Sequence, residues 1–225
     1  MPEWKAGYYH YIAKNEVVME KLKLSRQLRM LALAVLAGIA IGVGGVLYLS
    51  LENKIAGALM FTVGLYAICI HGLNLFTGKV GYLVNQPFSY LLDLLIIWGG
   101  NLCGTYLAAI AVRQTRIQSV SQAAKALCKV KMDDSLASLF LLAIFCGFLM
   151  FIAVDGYKSV TNPVILFLGV ASFILCGFEH CIADMFYFSA AGMWSGGAFL
   201  RIIVITLGNA VGGILIPLVK KLPAE

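Results

Sequence analysis

Residues 163–188 read PVILFLGVASFILCGFEHCIADMFYF, and residues 55–84 read IAGALMFTVGLYAICIHGLNLFTGKVGYLV. Each is an apolar run broken near its middle. In the first, Phe178 is followed by Glu179, His180 and Asp184 before the run recovers in Met185 to Phe188. In the second, Ile70 is followed by His71, Asn74, Thr77, Gly78 and Lys79 before Val80 to Val84. Breaking a helix inside a bilayer frees backbone N–H and C=O groups that lipid cannot satisfy. Such breaks persist only where they are buried in protein or line a wet cavity. Leu75-Phe76-Thr77-Gly78 and Phe178-Glu179-His180-Cys181 are therefore expected to face the interior of a membrane protein.

Working outward, four more apolar segments flank the broken pair: about 30–51, 88–112, 135–154 and 199–219. Of the 225 residues, 61% are hydrophobic and only 12% charged, with 23 glycines. A soluble domain of this length would need far more polar cover, so lipid is the natural solvent for this surface. The expected fold is an all-α membrane protein with six transmembrane helices. Residues 1–28 read as a cytoplasmic amphipathic helix whose Trp4, Tyr8, Tyr9 and Tyr11 suit a headgroup interface, and His10 there reads as solvated. Residues 29–221 form the channel domain and 222–225 a short tail. No signal peptide is visible in the charged first 30 residues.

The interrupted segments hold matching places, second of the first three and second of the last three. Paired interruptions of this kind point to a binding site in a transporter. The halves also echo one another: Gly100-Asn101-Leu102-Cys103-Gly104 and Gly208-Asn209-Ala210-Val211-Gly212 both read G-N-x-x-G, one span after a break. Three spans per copy is odd, so the copies insert in opposite senses as an inverted repeat. With both termini inside, ten of the 17 Lys and Arg fall on the cytoplasmic side and seven outside, a small bias toward that orientation.

The net charge of +6 suits anionic headgroups at span flanks rather than nucleic acid. Of the six cysteines, five lie in apolar segments and none forms a Cys-x-x-Cys pair. They read as small apolar residues, with no metal or other cofactor expected. His180 is the leading functional residue, an ionisable side chain at membrane depth whose ordinary pKa lies near physiological pH. Thr77 offers a hydroxyl partner if the breaks meet, or a cap for the freed backbone. Leu75, Phe76, Phe173 and Phe178 are candidate apolar constrictions. Lys131, in a basic loop at 113–134, would focus anions at a membrane face. Asn101 and Asn209 are expected to support the breaks by hydrogen bonds, with Glu179, Asp184 and Lys79 close by.

These residues resemble the formate/nitrite transporter family. Leu75-Phe76-Thr77-Gly78 is similar to its first broken-helix loop. Gly177-Phe178-Glu179-His180 with Ala183-Asp184-Met185-Phe186 resembles its most specific motif, and Thr206-Leu207-Gly208-Asn209 with Gly212-Gly213 resembles its last span. The resemblance covers roughly 20–219. It implies an aquaporin-like protomer in a homopentamer, one pore per protomer, in the cell membrane. It also implies that His180 and Thr77 form the central pair, that Leu75, Phe76 and Phe173 form two constrictions, and that Lys131 stands at a vestibule. Asp184 departs from the asparagine usual in relatives, and Cys146-Gly147 stands where formate channels carry a span-4 asparagine.

The function expected is a passive or proton-coupled channel for small monovalent anions of weak acids such as formate, nitrite or hydrosulfide. The anion crosses as the neutral acid or with proton exchange at His180; conduction of the bare anion past a protonated His180 stays open. No nucleophile–base pair or metal set for an enzyme is evident. A scaffold would not explain two matched breaks.

Overall fold

Glycine sets how closely the long helices approach. The computed structural model describes residues 3–223, with side chains from Leu24 onward. Eight α-helices follow in chain order: α1 (Glu3–Ser50), α2 (Lys54–Ile70), α3 (Tyr90–Arg113), α4 (Gln118–Asp133), α5 (Leu136–Val160), α6 (Val164–Leu175), α7 (Cys181–Ala191) and α8 (Gly196–Lys220). A short 3₁₀ helix (Val80–Asn85) lies between α2 and α3, and no strand occurs among the described residues. Helix α1 packs along α3, and α5 along α8. A Cβ at Gly104 would lie 2.0 Å from the Val35 carbonyl oxygen, and one at Gly212 2.0 Å from that of Ile144. Across the same contacts, Gly38 abuts Asn101 and Gly147 abuts Asn209. Small residues thus let backbones touch, the usual way helices bind where lipid removes the hydrophobic drive. Both copies of G-N-x-x-G make the same kind of helix seam.

Four helical stretches are long and apolar enough to cross a bilayer: Leu24–Ser50, Tyr90–Arg113, Leu136–Val160 and Gly196–Lys220. Three apolar helices are shorter: α2, α6 and α7. Many large apolar side chains face outward, among them Leu95 at 67% exposure, Leu168 at 64% and Leu207 at 56%, a surface suited to lipid. Helix α7 is the opposite, with all eleven residues buried.

Helices α2 and α6 end alike. Gly72 (φ 63°) and Gly177 (φ 69°) adopt the left-handed conformation. The next residue's N–H then bonds back, Leu73 to the Ile68 carbonyl and Phe178 to that of Phe173. This is a Schellman end, which needs a residue without a Cβ at that φ. The chain then runs extended before turning into the 3₁₀ helix on one side and α7 on the other.

Several sequence expectations are corrected. Residues 113–134 are no plain loop: α4 is a helix there, burying Val120, Ala124 and Cys128 at four-residue spacing. Helix α5 runs on to Val160, beyond the expected 154, and stops at Thr161 in the left-handed conformation (φ 52°) ahead of Pro163. The apolar run expected to 178 ends as a helix at Leu175. Helix α1 runs from Glu3 to Ser50. The aromatic side chains expected at the interface, and His10, lie outside the described residues, as does the end of the 222–225 tail.

Candidate functional site

Each break is held by one asparagine. Asn101 Nδ2 donates to the carbonyls of Ala34 and Asn74, both at 2.8 Å, and its Oδ1 accepts the Phe76 N–H at 2.9 Å. Asn209 repeats this: Nδ2 donates to Ala143 and Glu179 carbonyls, both at 2.8 Å, and Oδ1 accepts the Cys181 N–H at 2.9 Å. Both side chains are fully buried. An amide offers two donors and an acceptor, which is what an opened helix leaves unmatched.

The breaks meet at Thr77 and His180. Thr77 Oγ1 lies 2.9 Å from His180 Nε2, and His180 Nδ1 accepts the Ala183 N–H at 3.1 Å, capping α7. A ring nitrogen that accepts carries no proton, so this network assigns the proton of the neutral imidazole to Nε2, which donates to Thr77. Forming the imidazolium would cost the α7 cap. The Phe173 ring stacks on His180, with centroids 5.4 Å apart and planes 16° from parallel, and meets Phe61 edge-on.

Two cavities lie at the breaks, one beside Leu75 and Gly78 and one beside Phe178 and His180. One, of about 80 Å³, is lined by Leu65, Leu75, Gly78, Lys79, Val154 and Lys158 among others. The other, of about 90 Å³, is lined by Tyr48, Phe173, Phe178, His180, Asp184 and Lys131 among others. A wider space of about 600 Å³ adjoins the first and shares Lys79 and Lys158 with it.

The two cavities differ in charge. At the first, Lys158 Nζ sits 3.1 Å from the Tyr82 hydroxyl and over its ring, and that hydroxyl donates to Asp155 at 3.1 Å. The Lys79 ammonium has no hydrogen-bond or ion-pair partner among the described residues. At the second, Lys131 is bonded to Glu179 Oε2 at 2.5 Å and Asp184 Oδ1 at 2.9 Å. Burial alone would pull the Lys131 ammonium down, but Asp184 and Glu179 more than reverse this and hold it above the ordinary lysine range.

Four expected residues thus converge, Thr77, His180, Phe173 and Asp184, while Leu75 lines the first cavity. Phe178 lines the second cavity but stacks on Phe145 (5.3 Å). The Phe76 side chain is buried and lines neither of the two cavities. Lys131 lines the second cavity, and its charge is already matched there. Asp184 is correspondingly paired. Cys146 is buried, Gly147 seats Asn209, and all six cysteines are free thiols. Sequence reasoning missed Tyr82, Asp155 and Lys158; Tyr82 lies 73 and 76 residues from the other two, and only the fold joins them.

Helices of this length and apolar surface, around a polar pair with a cavity at each break, define a multi-pass membrane protein of the transport class. The family model for formate/nitrite transporters matches residues 11–221, and the chain belongs to that family. A Bacillus subtilis (strain 168) transporter, YrhG, is 27% identical, over 89% of this chain and 86% of its own. The Escherichia coli (strain K12) formate channel FocB is 23% identical, over 81% of this chain and 71% of its own. A solved pentameric formate channel with formate bound superposes with a TM-score of 0.76 at 26% identity, covering 87% of this chain and 96% of that one. A second channel of the family gives 0.77 at 21% identity, covering 94% and 97%. These relatives are channels and transporters, not enzymes.

Proposed function

We propose that this protein is a channel for small monovalent anions of weak acids, formate, nitrite or hydrosulfide, passed as the neutral acid between the two cavities. The observation that carries the reading is the Thr77–His180 pair, with one cavity lined by Leu75 at the first break and another lined by Phe173 and His180 at the second. Helix α2 with the 3₁₀ helix, and α6 with α7, each make one broken span. That gives six spans in two halves inserted in opposite senses, as the matched asparagine clamps suggest. A homopentamer in the cell membrane with both termini cytoplasmic is the assembly we infer, since the similar solved channel is pentameric.

A bare anion entering hydrocarbon loses its hydration at large cost. A weak acid avoids this by taking a proton, because burial favours its neutral form. Lys79 and Lys158 gather the anion at the first cavity. Neutral His180, hydrogen-bonded to Thr77, makes the mid-path polar without adding charge. Lys131 serves the second cavity as a counter-charge for Glu179 and Asp184 more than as a lure for anions.

Stopped-flow uptake into proteoliposomes tests this, comparing formate, nitrite, hydrosulfide and lactate at several pH values. Uptake above that of empty vesicles, reduced in His180→Ala, is expected. A folded, assembled protein that speeds none of them would refute the reading.

A further inference from the structure

Asp184 is 1% exposed, and its Oδ2 has no hydrogen-bond donor among the described residues. Its Oδ1 is held by Lys131 at 2.9 Å. With Glu179 on the same ammonium, the cluster has two carboxyl groups and one cation. Fully ionised it would carry a net negative charge in a buried pocket, at a large desolvation cost. One proton on the pair removes that charge. Lys131 fixes Glu179 Oε2 more closely, and Glu179 does not line the cavity, whereas Asp184 does. His180 shares that cavity, but both its ring nitrogens are engaged.

We propose that Asp184 is a proton-exchange group for the permeating weak acid, delivering its proton to, or taking it from, a small oxyanion in the cavity beside His180. This rests on the transport reading above and deepens it. When an anion enters, the Asp184 O–H bond breaks and the anion's oxygen takes the proton, forming the neutral acid. Asp184 is left as a carboxylate held by Lys131, and water in the cavity restores its proton. Acid leaving through this cavity runs the same step in reverse. No oxidant or other co-reactant is needed.

The groups around Asp184 are Lys131 and Cys128 from α4, Glu179 and His180 from the break, Cys181 and Tyr187 from α7, Tyr48 from α1 and Cys146 from α5. Among them, Glu179 alone is another carboxyl. It is anchored to Lys131, and its backbone carbonyl is tied to Asn209. An ionised Asp184 repels the anion and a protonated one feeds it, so flux is tied to proton supply on this side.

The test is formate uptake by the full chain in proteoliposomes between pH 5 and 8, for wild type, Asp184→Asn and Asp184→Glu. The asparagine keeps shape and an acceptor for Lys131 but carries no acidic proton. Expected is a several-fold slower rate near pH 7 in Asp184→Asn, convergence with wild type as the medium itself supplies more neutral acid, and partial rescue in Asp184→Glu. An Asp184→Asn profile parallel to wild type, or one faster at every pH, would overturn the proposal. Should Asp184→Asn fail to assemble, infrared difference spectra of wild type on formate addition decide: loss of a protonated-carboxyl band supports exchange, and no carboxyl change refutes it. Wild type that takes up no weak acid defeats the transport reading itself; uptake with an unaltered Asp184→Asn profile defeats only this step.

Discussion

At the first break the chain leaves the glycine turn of Gly72 through Leu75 and Thr77 to Lys79; at the second it leaves Gly177 through His180 and Ile182 to Asp184. Both turns have the same left-handed φ and the same bond back into the helix. Both extended stretches are clamped by an asparagine with matching donors and acceptors. Position by position, however, leucine faces histidine and lysine faces aspartate. Beyond the breaks, one side continues as a 3₁₀ turn and the other as the wholly buried α7. The backbone solution to an opened helix is thus used twice, while the side chains it presents give one basic cavity and one in which a cation is held between two carboxyl groups. In the channel we propose, the repeated frame would supply the path, and its chemical inequality the polar centre and the proton exchange.

The sharpest way to test this inequality is to remove one lysine from each cavity. Lys131→Met strands Glu179 and Asp184 without their cation and should cost about 3–5 kcal/mol of stability. Lys79→Met, which breaks no pair, should stay within about 0.5 kcal/mol. Thermal unfolding in detergent compares them. Equal losses would break the contrast. The shared frame predicts the opposite pattern for the clamps. Asn101→Ala leaves the Asn74 carbonyl and the Phe76 N–H unmatched, and Asn209→Ala the Glu179 carbonyl and the Cys181 N–H, so each should cost about 3 kcal/mol. A large loss at one clamp alone would mean the breaks are not equivalent supports.

A smaller effect is expected at the centre. Thr77→Val removes the acceptor of the His180 N–H and should cost about 1–2 kcal/mol, read in the same melts, with slower formate uptake. Least in stability, but visible in flux, is the basic cavity. Lys79→Gln with Lys158→Gln should slow uptake about 2- to 10-fold at low ionic strength and flatten its salt dependence. An unchanged salt dependence would remove anion gathering from this side.

Much of the frame could be read from the chain because lipid makes deviations conspicuous. His71, Asn74 and Thr77, or Glu179 and His180, stand out within apolar runs, and each marked a real helix end. The G-N-x-x-G echo was legible for the same reason, since glycine at a seam and asparagine at a break are both demanded by the solvent. Helix α4 was missed because 113–134 lacks an apolar run, although the Val120, Ala124, Cys128 stripe carries a helical period. The charge pairing of Lys131 was not legible at all: Glu179 and Asp184 lie about 50 residues on, and nothing local marks a lysine as already matched. Phe76 illustrates the same limit, since its backbone N–H serves the clamp while its ring is buried away from both cavities.

The central claim is that one path joins the two cavities through Leu75, the Thr77–His180 pair and Phe173. Formate flux through Leu75→Trp tests it most directly, measured by stopped-flow in proteoliposomes beside wild type, with assembly checked by size in detergent. A bulky ring at that point should bring uptake down to the level of protein-free vesicles while the protein stays folded. Wild-type uptake through a folded Leu75→Trp protein would show that solute does not pass there.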